Sequence, residues 1–204
     1  MCFGRKHFQG EYTPRDNNCC GGFALNAVLV ELGQPDDPIA VYNKIQAYQE
    51  ENILKVNPDS TVSKYLLDSQ LNDTKMSLPS GICGAFKNYV TDRIVTVCYN
   101  SDFAKSDFEA LIIEECARIT ALGMTVKIVN PDDGLSKIDW TYVLVLVNGS
   151  HWIAVKRIKV EKDDIFICYD PATGEAETGD SMITAMQKLK YEPDSINGLY
   201  ICIP

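Results

Sequence analysis

Cys20 lies in the run Asn17-Asn18-Cys19-Cys20-Gly21-Gly22-Phe23-Ala24-Leu25, ahead of two glycines and at the start of an apolar helical stretch. A thiol there is a candidate nucleophile, because the unpaired amides of a helix N-terminus carry partial positive charge and favour a thiolate. A thiolate needs a partner to move protons. The chain has two histidines: His7 sits in a polar, basic N-terminal segment, and His151 follows Gly149-Ser150 and opens the strand-like run Trp152-Ile153-Ala154-Val155. Asp170 ends the next such run, in Cys168-Tyr169-Asp170-Pro171-Ala172-Thr173-Gly174. The separation of nineteen positions from His151 to Asp170 accommodates two antiparallel strands and a turn, which returns the carboxylate to the imidazole. Cys20, His151 and Asp170 in that chain order read as nucleophile, general base and orienter.

Each of the three also has a plainer reading. Cys20 alone would be a buried helix-start cysteine, His151 a structural histidine bonded to backbone, and Asp170 the turn former of an Asp-Pro pair. Their coincidence favours the chemical reading. Cys19 remains the alternative nucleophile, since sequence does not set the start of a helix to one residue.

Cys20-Gly21-Gly22-Phe23-Ala24-Leu25 resembles the Cys-Gly-Pro-Ala-Ala-Leu opening of papain-like cysteine peptidases, closest to the bacteriocin-leader (double-glycine) branch. His151-Trp152 and Asp170-Pro171-Ala172-Thr173-Gly174 resemble the closing segment of the same family. The matched ends cover about a quarter of the chain; the middle, from about Gln34 to Tyr142, has no counterpart. The resemblance implies a papain-like α+β fold, with a helical lobe carrying the nucleophile packed on an antiparallel sheet carrying His151 and Asp170. It also implies an oxyanion-hole Gln a few residues before the nucleophile. Here Pro14 stands six before Cys20, Gln9 eleven before, and the nearest amides are Asn17 and Asn18. Asn17, Asn18 and the backbone N–H groups of Cys20 and Gly21 are therefore the candidates for that role.

With 204 residues, 46% of them hydrophobic, the chain suits one well-cored domain, with a helical lobe over about 1–92 and a sheet lobe over about 93–204. A formal charge of −9 and a pI near 4.7 argue against nucleic acid or an anionic membrane surface as partner, because both would repel an acidic protein. A protein or peptide substrate is the expected partner. The N-terminus Met1-Cys2-Phe3-Gly4-Arg5-Lys6 lacks the apolar run of a signal peptide, so the eight cysteines are expected reduced, in the cytoplasm or in a protein exported without a cleaved signal. Cys98, Cys116, Cys168 and Cys202 read as core residues. Cys2 with His7, Cys19-Cys20 and Cys83 lack paired Cys-x-x-Cys spacing, and no nucleotide fingerprint occurs, so neither metal nor organic cofactor is expected.

The elements that must position these groups follow from periodicity. Helices are expected over Gly22 to Leu32, Pro38 to Asn52, Ser60 to Asp68 with Ser60 as N-cap, and Ser106 to Leu122 behind the capping box Ser106-Asp107-Phe108-Glu109. Ser77 to Gly81 reads as a loop, and Gly81-Ile82-Cys83-Gly84 as a loop near a helix start that could hold a second reactive thiol, with a glycine-rich turn and a packed cysteine the preferred reading. Strands are expected at Arg93 to Tyr99, Thr125 to Asn130, Trp140 to Val147, His151 to Val160, Asp164 to Tyr169 and Gly198 to Ile203, with turns at Asn148-Gly149 and Glu161-Lys162-Asp163.

The expected activity is that of a thiol hydrolase cleaving a peptide or isopeptide bond through a thioester. The same constellation would serve an acyltransferase, a transglutaminase or a glutamine deamidase, including one delivered as a bacterial effector. A binding module that keeps the fold without catalysis is the third reading.

Overall fold

The computed structural model describes residues 19–34, 37–71, 76–100, 109–130, 135–161 and 163–204. Helix α1, Cys20–Glu31, is apolar on all sides, so it can only be stable inside the protein; Ala24, Leu25, Val28 and Leu29 have no exposed surface. It ends in a Schellman motif, in which Gln34 N–H donates to Leu29 O at 2.8 Å and Gly33 takes φ +73°. Helix α2, Pro38–Gln49, starts where Asp37 Oδ1 accepts from the N–H groups of Ile39 and Ala40 with Pro38 in the first turn. It continues into a π-turn, Glu50–Leu54. Helix α3, Thr61–Leu71, is capped by Ser60, whose Oγ accepts from Ser63 N–H at 3.1 Å.

The segment read as a loop and glycine turn contains helix α4, Pro79–Lys87. Its glycines concealed it, because glycine disfavours helix by about 1 kcal/mol. They are there for close packing. A Cβ on Gly81 would collide with the Gln49 side chain, and one on Gly84 with the Tyr48 ring. Gln49 Oε1 also accepts from Leu78 N–H at 2.7 Å, and buried Glu115 accepts from Ser80 N–H at 2.8 Å, so side chains from two other helices satisfy the first turn of α4.

The remaining elements are β1 (Thr96–Asn100), α5 (Glu109–Ala121), β2 (Thr125–Val129), β3 (Tyr142–Val147), β4 (His151–Ile158), β5 (Ile165–Tyr169), β6 (Ala176–Gly179), α6 (Met182–Lys188) and β7 (Ile196–Ile203). The capping box expected before α5 lies outside the described residues, apart from Glu109. One sheet has the order β2-β1-β7-β3-β4-β5-β6. An all-antiparallel sheet was expected, and β1 and β2 correct it: they pair in parallel, Thr96 opposite Thr125. Their connection is a helix, the kind of crossover a parallel pair needs. The last strand, β7, inserts between β1 and β3.

Strand β3 is buried along its whole length, and its alternate residues enter two cores. Tyr142, Leu144 and Leu146 face the core shared with α1, α2, α4 and α5, while Val143, Val145 and Val147 face the one closed by Ala185, Met186 and Leu189 around α6. The protein is thus a mixed α+β fold with a helical first half packed on a mostly antiparallel sheet. Among the described residues, no helix is long and apolar enough to cross a membrane.

The close approach of α4 to α2 gives a direct test. Gly84→Ala should lower stability in urea unfolding by about 1–3 kcal/mol through overpacking against Tyr48, although helix propensity alone would predict a gain. A stabilised variant would show that the two helices are not held at glycine distance.

Candidate active site

The first turn of α1 brings Cys20 to the sheet. Gly21 and Gly22 allow it, since a Cβ on Gly21 would lie 2.5 Å from both Cβ and Oγ of Ser77, and one on Gly22 would lie 2.5 Å from Tyr42 Cβ. Helix α1 packs directly on β4. Its far end is tied to the same strand by the half-buried Lys156–Glu31 ion pair. Cys20 Sγ accepts from the backbone N–H of Trp152 at 3.4 Å and lies 3.7 Å from Ser150 O.

His151 between them is placed by a three-residue hairpin loop from β3, where Asn148 at φ +50° and Gly149 at φ +74° turn the chain back. Its imidazole Nε2 and Asp170 Oδ1 are 2.8 Å apart. Nε2 is thereby engaged, which leaves Nδ1 as the ring nitrogen available to the Cys20 thiol. The register of β4 and β5, Ala154 opposite Tyr169, sets Asp170 one residue past the strand end and next to His151.

Asp170 is buried, and both its oxygens are used. Oδ1 also accepts from Ala172 N–H at 2.8 Å, an Asx turn, and Oδ2 accepts from the Tyr191 hydroxyl at 2.8 Å. Its backbone closes the same loop, accepting from Gly174 N–H at 2.8 Å. The turn-forming and imidazole-holding readings of Asp170 therefore coincide in one side chain.

Burial works against the imidazolium of His151, but hydrogen bonds to Asp170 and Cys20 and the charge facing it outweigh that cost and raise its pKa from 6.5 to about 9. Burial likewise pushes the Asp170 carboxyl up, and the hydrogen bond and charge of His151, with Ala172 N–H and Tyr191 O–H, bring it below the usual carboxylate value. Burial and the Asp170 charge push the Tyr191 hydroxyl up, so it stays a donor.

Tyr191 is the residue sequence reading missed. It stacks on His151, ring centroids 6.2 Å apart and planes at 20°. Its position is set by a Schellman motif ending α6, in which Tyr191 N–H donates to Met186 O at 3.1 Å and Lys190 adopts φ +67°. A lysine standing where glycine is usual, one residue before a tyrosine, was the only signal available.

Cys19 is buried in a separate cluster with Phe23 and Tyr42, and its carbonyl accepts the first helical N–H groups, those of Gly22 and Phe23. The N–H groups of Cys20 and Gly21 precede these first intrahelical donors. Asn17 and Asn18 lie outside the described residues, as do Cys2 and His7. Asp164 pairs with Arg157, 2.5 Å to Nε, at the end of the hairpin away from His151. Cys83 and Cys168 are fully buried, and burial raises both thiols well above the usual cysteine value. Among the described residues no cluster of His, Cys, Asp or Glu could hold a metal ion. Comparison of the chain with protein-family models, curated proteins and solved structures found no match.

Because the folded-state pKa of His151 is raised, the charge on the ring adds stability that is complete below about 6.5 and lost as pH climbs to about 9. Urea midpoints of wild type should fall across that window, and His151→Ala should flatten the slope. Tyr191→Phe keeps the stack and removes the donor to Asp170; it should cost about 1.5–3 kcal/mol and raise the Asp170 pKa read by NMR, since that hydroxyl helps to hold the carboxyl down. An unchanged Asp170 titration would show that the Tyr191 hydroxyl does not act on the pair.

Proposed function

We propose that the protein is a thiol hydrolase of papain-like design that cleaves a peptide or isopeptide bond, with Cys20 as nucleophile, His151 as general acid and base, and Asp170 as orienter. The observation that carries this reading is the pairing of His151 with a buried carboxylate at 2.8 Å next to the Cys20 sulfur, which the N–H of the adjoining Trp152 holds at 3.4 Å, assembled from α1, β4 and the end of β5. Tyr191 extends this pairing by one hydroxyl.

In the proposed reaction Cys20 Sγ attacks the carbonyl carbon and the imidazolium of His151 gives its proton to the departing amine as the C–N bond breaks. The acyl group is left as a thioester. A water molecule, losing a proton to His151, then attacks that carbonyl, the C–S bond breaks, and a carboxylic acid leaves. Negative charge on the carbonyl oxygen is met by the Cys20 and Gly21 N–H groups at the positive end of α1, a role worth about two to three orders of magnitude in rate where it has been removed. Asp170 holds Nε2 and so directs Nδ1 to sulfur without itself exchanging a proton.

Thiol labelling tests the reading directly. Iodoacetamide should modify Cys20 ahead of the other described cysteines, and Cys20→Ala should abolish both labelling there and turnover of peptide substrates, while Cys19→Ala is mild. His151→Ala should remove turnover, and Asp170→Asn should leave Cys20 labelled but cut turnover by about 10⁴-fold, the scale of a misplaced tautomer. Turnover should decline as pH rises through about 9, where the raised His151 loses its proton. Labelling spread evenly over the thiols, or full turnover in Cys20→Ala, would refute the reading.

A further inference from the structure

Beside the nucleophile lies a cavity of about 110 Å³, enclosed mainly by apolar atoms of Tyr65, Leu78, Leu111, Leu146, Trp152 and Leu199. It shares two pieces of wall with the site. Trp152 gives its backbone N–H to Cys20 Sγ and, at 2.9 Å, its indole N–H to Ser77 O; Ser77 in turn packs on Gly21 and also lines the cavity. Gly149, from the turn just before His151, also lines the cavity.

Three features restrict what enters. The volume is below the roughly 150 Å³ of an apolar cavity that takes benzene, so an aliphatic group of leucine size fits and an indole does not. Among the described residues no cation lines the cavity, and the one carboxyl that does, that of Glu115, is buried with both oxygens occupied by Ser80 N–H at 2.8 Å and Ser80 Oγ at 2.7 Å. An anionic side chain would be desolvated there with nothing to compensate it. Ser77 and Tyr99 also line the cavity, but their hydroxyl oxygens are buried out of its reach, so a polar side chain entering it finds neither as a partner.

Resting on the hydrolase reading, we propose that this cavity is the specificity pocket, receiving an uncharged aliphatic side chain of about leucine size next to the scissile bond. The substrate class is then a peptide with leucine, methionine or valine at that position, and acidic or bulky aromatic residues there are rejected.

N-acetyl dipeptidyl chloromethyl ketones, Ac-X-Ala and Ac-Ala-X with X as Gly, Leu, Trp, Asp or Lys, test this on the full chain. Each alkylates Cys20 as sulfur displaces chloride, and iodoacetamide, which has no side chain, reports the thiol alone. At one of the two positions Leu should speed inactivation about tenfold or more over Gly, within the range expected for added methylenes in an apolar pocket; Trp, Asp and Lys should not. Filling the cavity from half-buried positions, by Leu111→Trp or independently by Met76→Phe, should erase the Leu advantage and leave the iodoacetamide rate unchanged. Equal Gly and Leu rates at both positions, with Cys20 still reacting with iodoacetamide, would overturn the pocket and leave the nucleophile standing. If Cys20 does not react with iodoacetamide, the hydrolase reading fails. The pocket is then decided by titrating N-acetyl-leucinamide: saturable binding lost in Leu111→Trp retains it as a binding site, and absence of binding removes it.

Discussion

Helix α1 reaches the sheet because its first turn has no side chains on the two faces that touch other segments. One glycine faces Ser77 and the other Tyr42, each at a distance no Cβ could occupy without displacing its neighbour. With any larger residue the helix start would stand off from β4 by about an atom's width, and the contact between Cys20 Sγ and Trp152 N–H would be lost. The glycines that make Cys20 look reactive in the sequence are thus a packing requirement first. The chemistry proposed for Cys20 depends on the closeness they permit.

A second constraint is electrostatic. Burying a charge costs several kcal/mol unless it is paired and hydrogen-bonded, and Asp170 is 4% exposed. Its answer is saturation: an imidazole and a backbone N–H on one oxygen, a tyrosine hydroxyl on the other. Once the carboxylate is held ionised in this way it favours the charged imidazole beside it, which is why burial fails to discharge His151. The order of dependence runs from the turn to the carboxylate to the ring.

The parts of this arrangement that could be read from sequence are those where one local pattern serves one purpose. The unbroken apolar run after Gly22 marked α1, period-two runs marked β3, β4 and β5, and Asn148-Gly149 marked the turn whose positive φ values orient His151. The illegible parts are those where a residue answers to a distant partner. Gly81 and Gly84 answer to Gln49 and Tyr48, so α4 looked like a loop. The short β6 carries Glu177 and Thr178 on a sheet edge, with no apolar alternation to reveal it. Tyr191 answers to Asp170, twenty-one residues back, through a helix end formed on a lysine in the left-handed region. The parallel pairing of β1 and β2 was present in the strand, helix, strand order but was overridden by the hairpins around it.

The two adjacent cysteines show how little distance separates a structural role from the chemical one proposed for Cys20. Cys19 stands just outside the helix, its carbonyl taking the first two helical N–H groups, and its side chain is sealed with Phe23 and Tyr42. Cys20 is the first helical residue. One step along a helix rotates the side chain by about 100°, and that rotation turns the second sulfur from the α2 side to β4, where a backbone donor and an imidazole meet it. Identity and burial do not distinguish them, since both are cysteines and both are almost wholly enclosed. What distinguishes them is the wall each faces: an aromatic cluster on one side, and on the other the place in the described fold where a histidine, the Trp152 amide and a helix N-terminus converge.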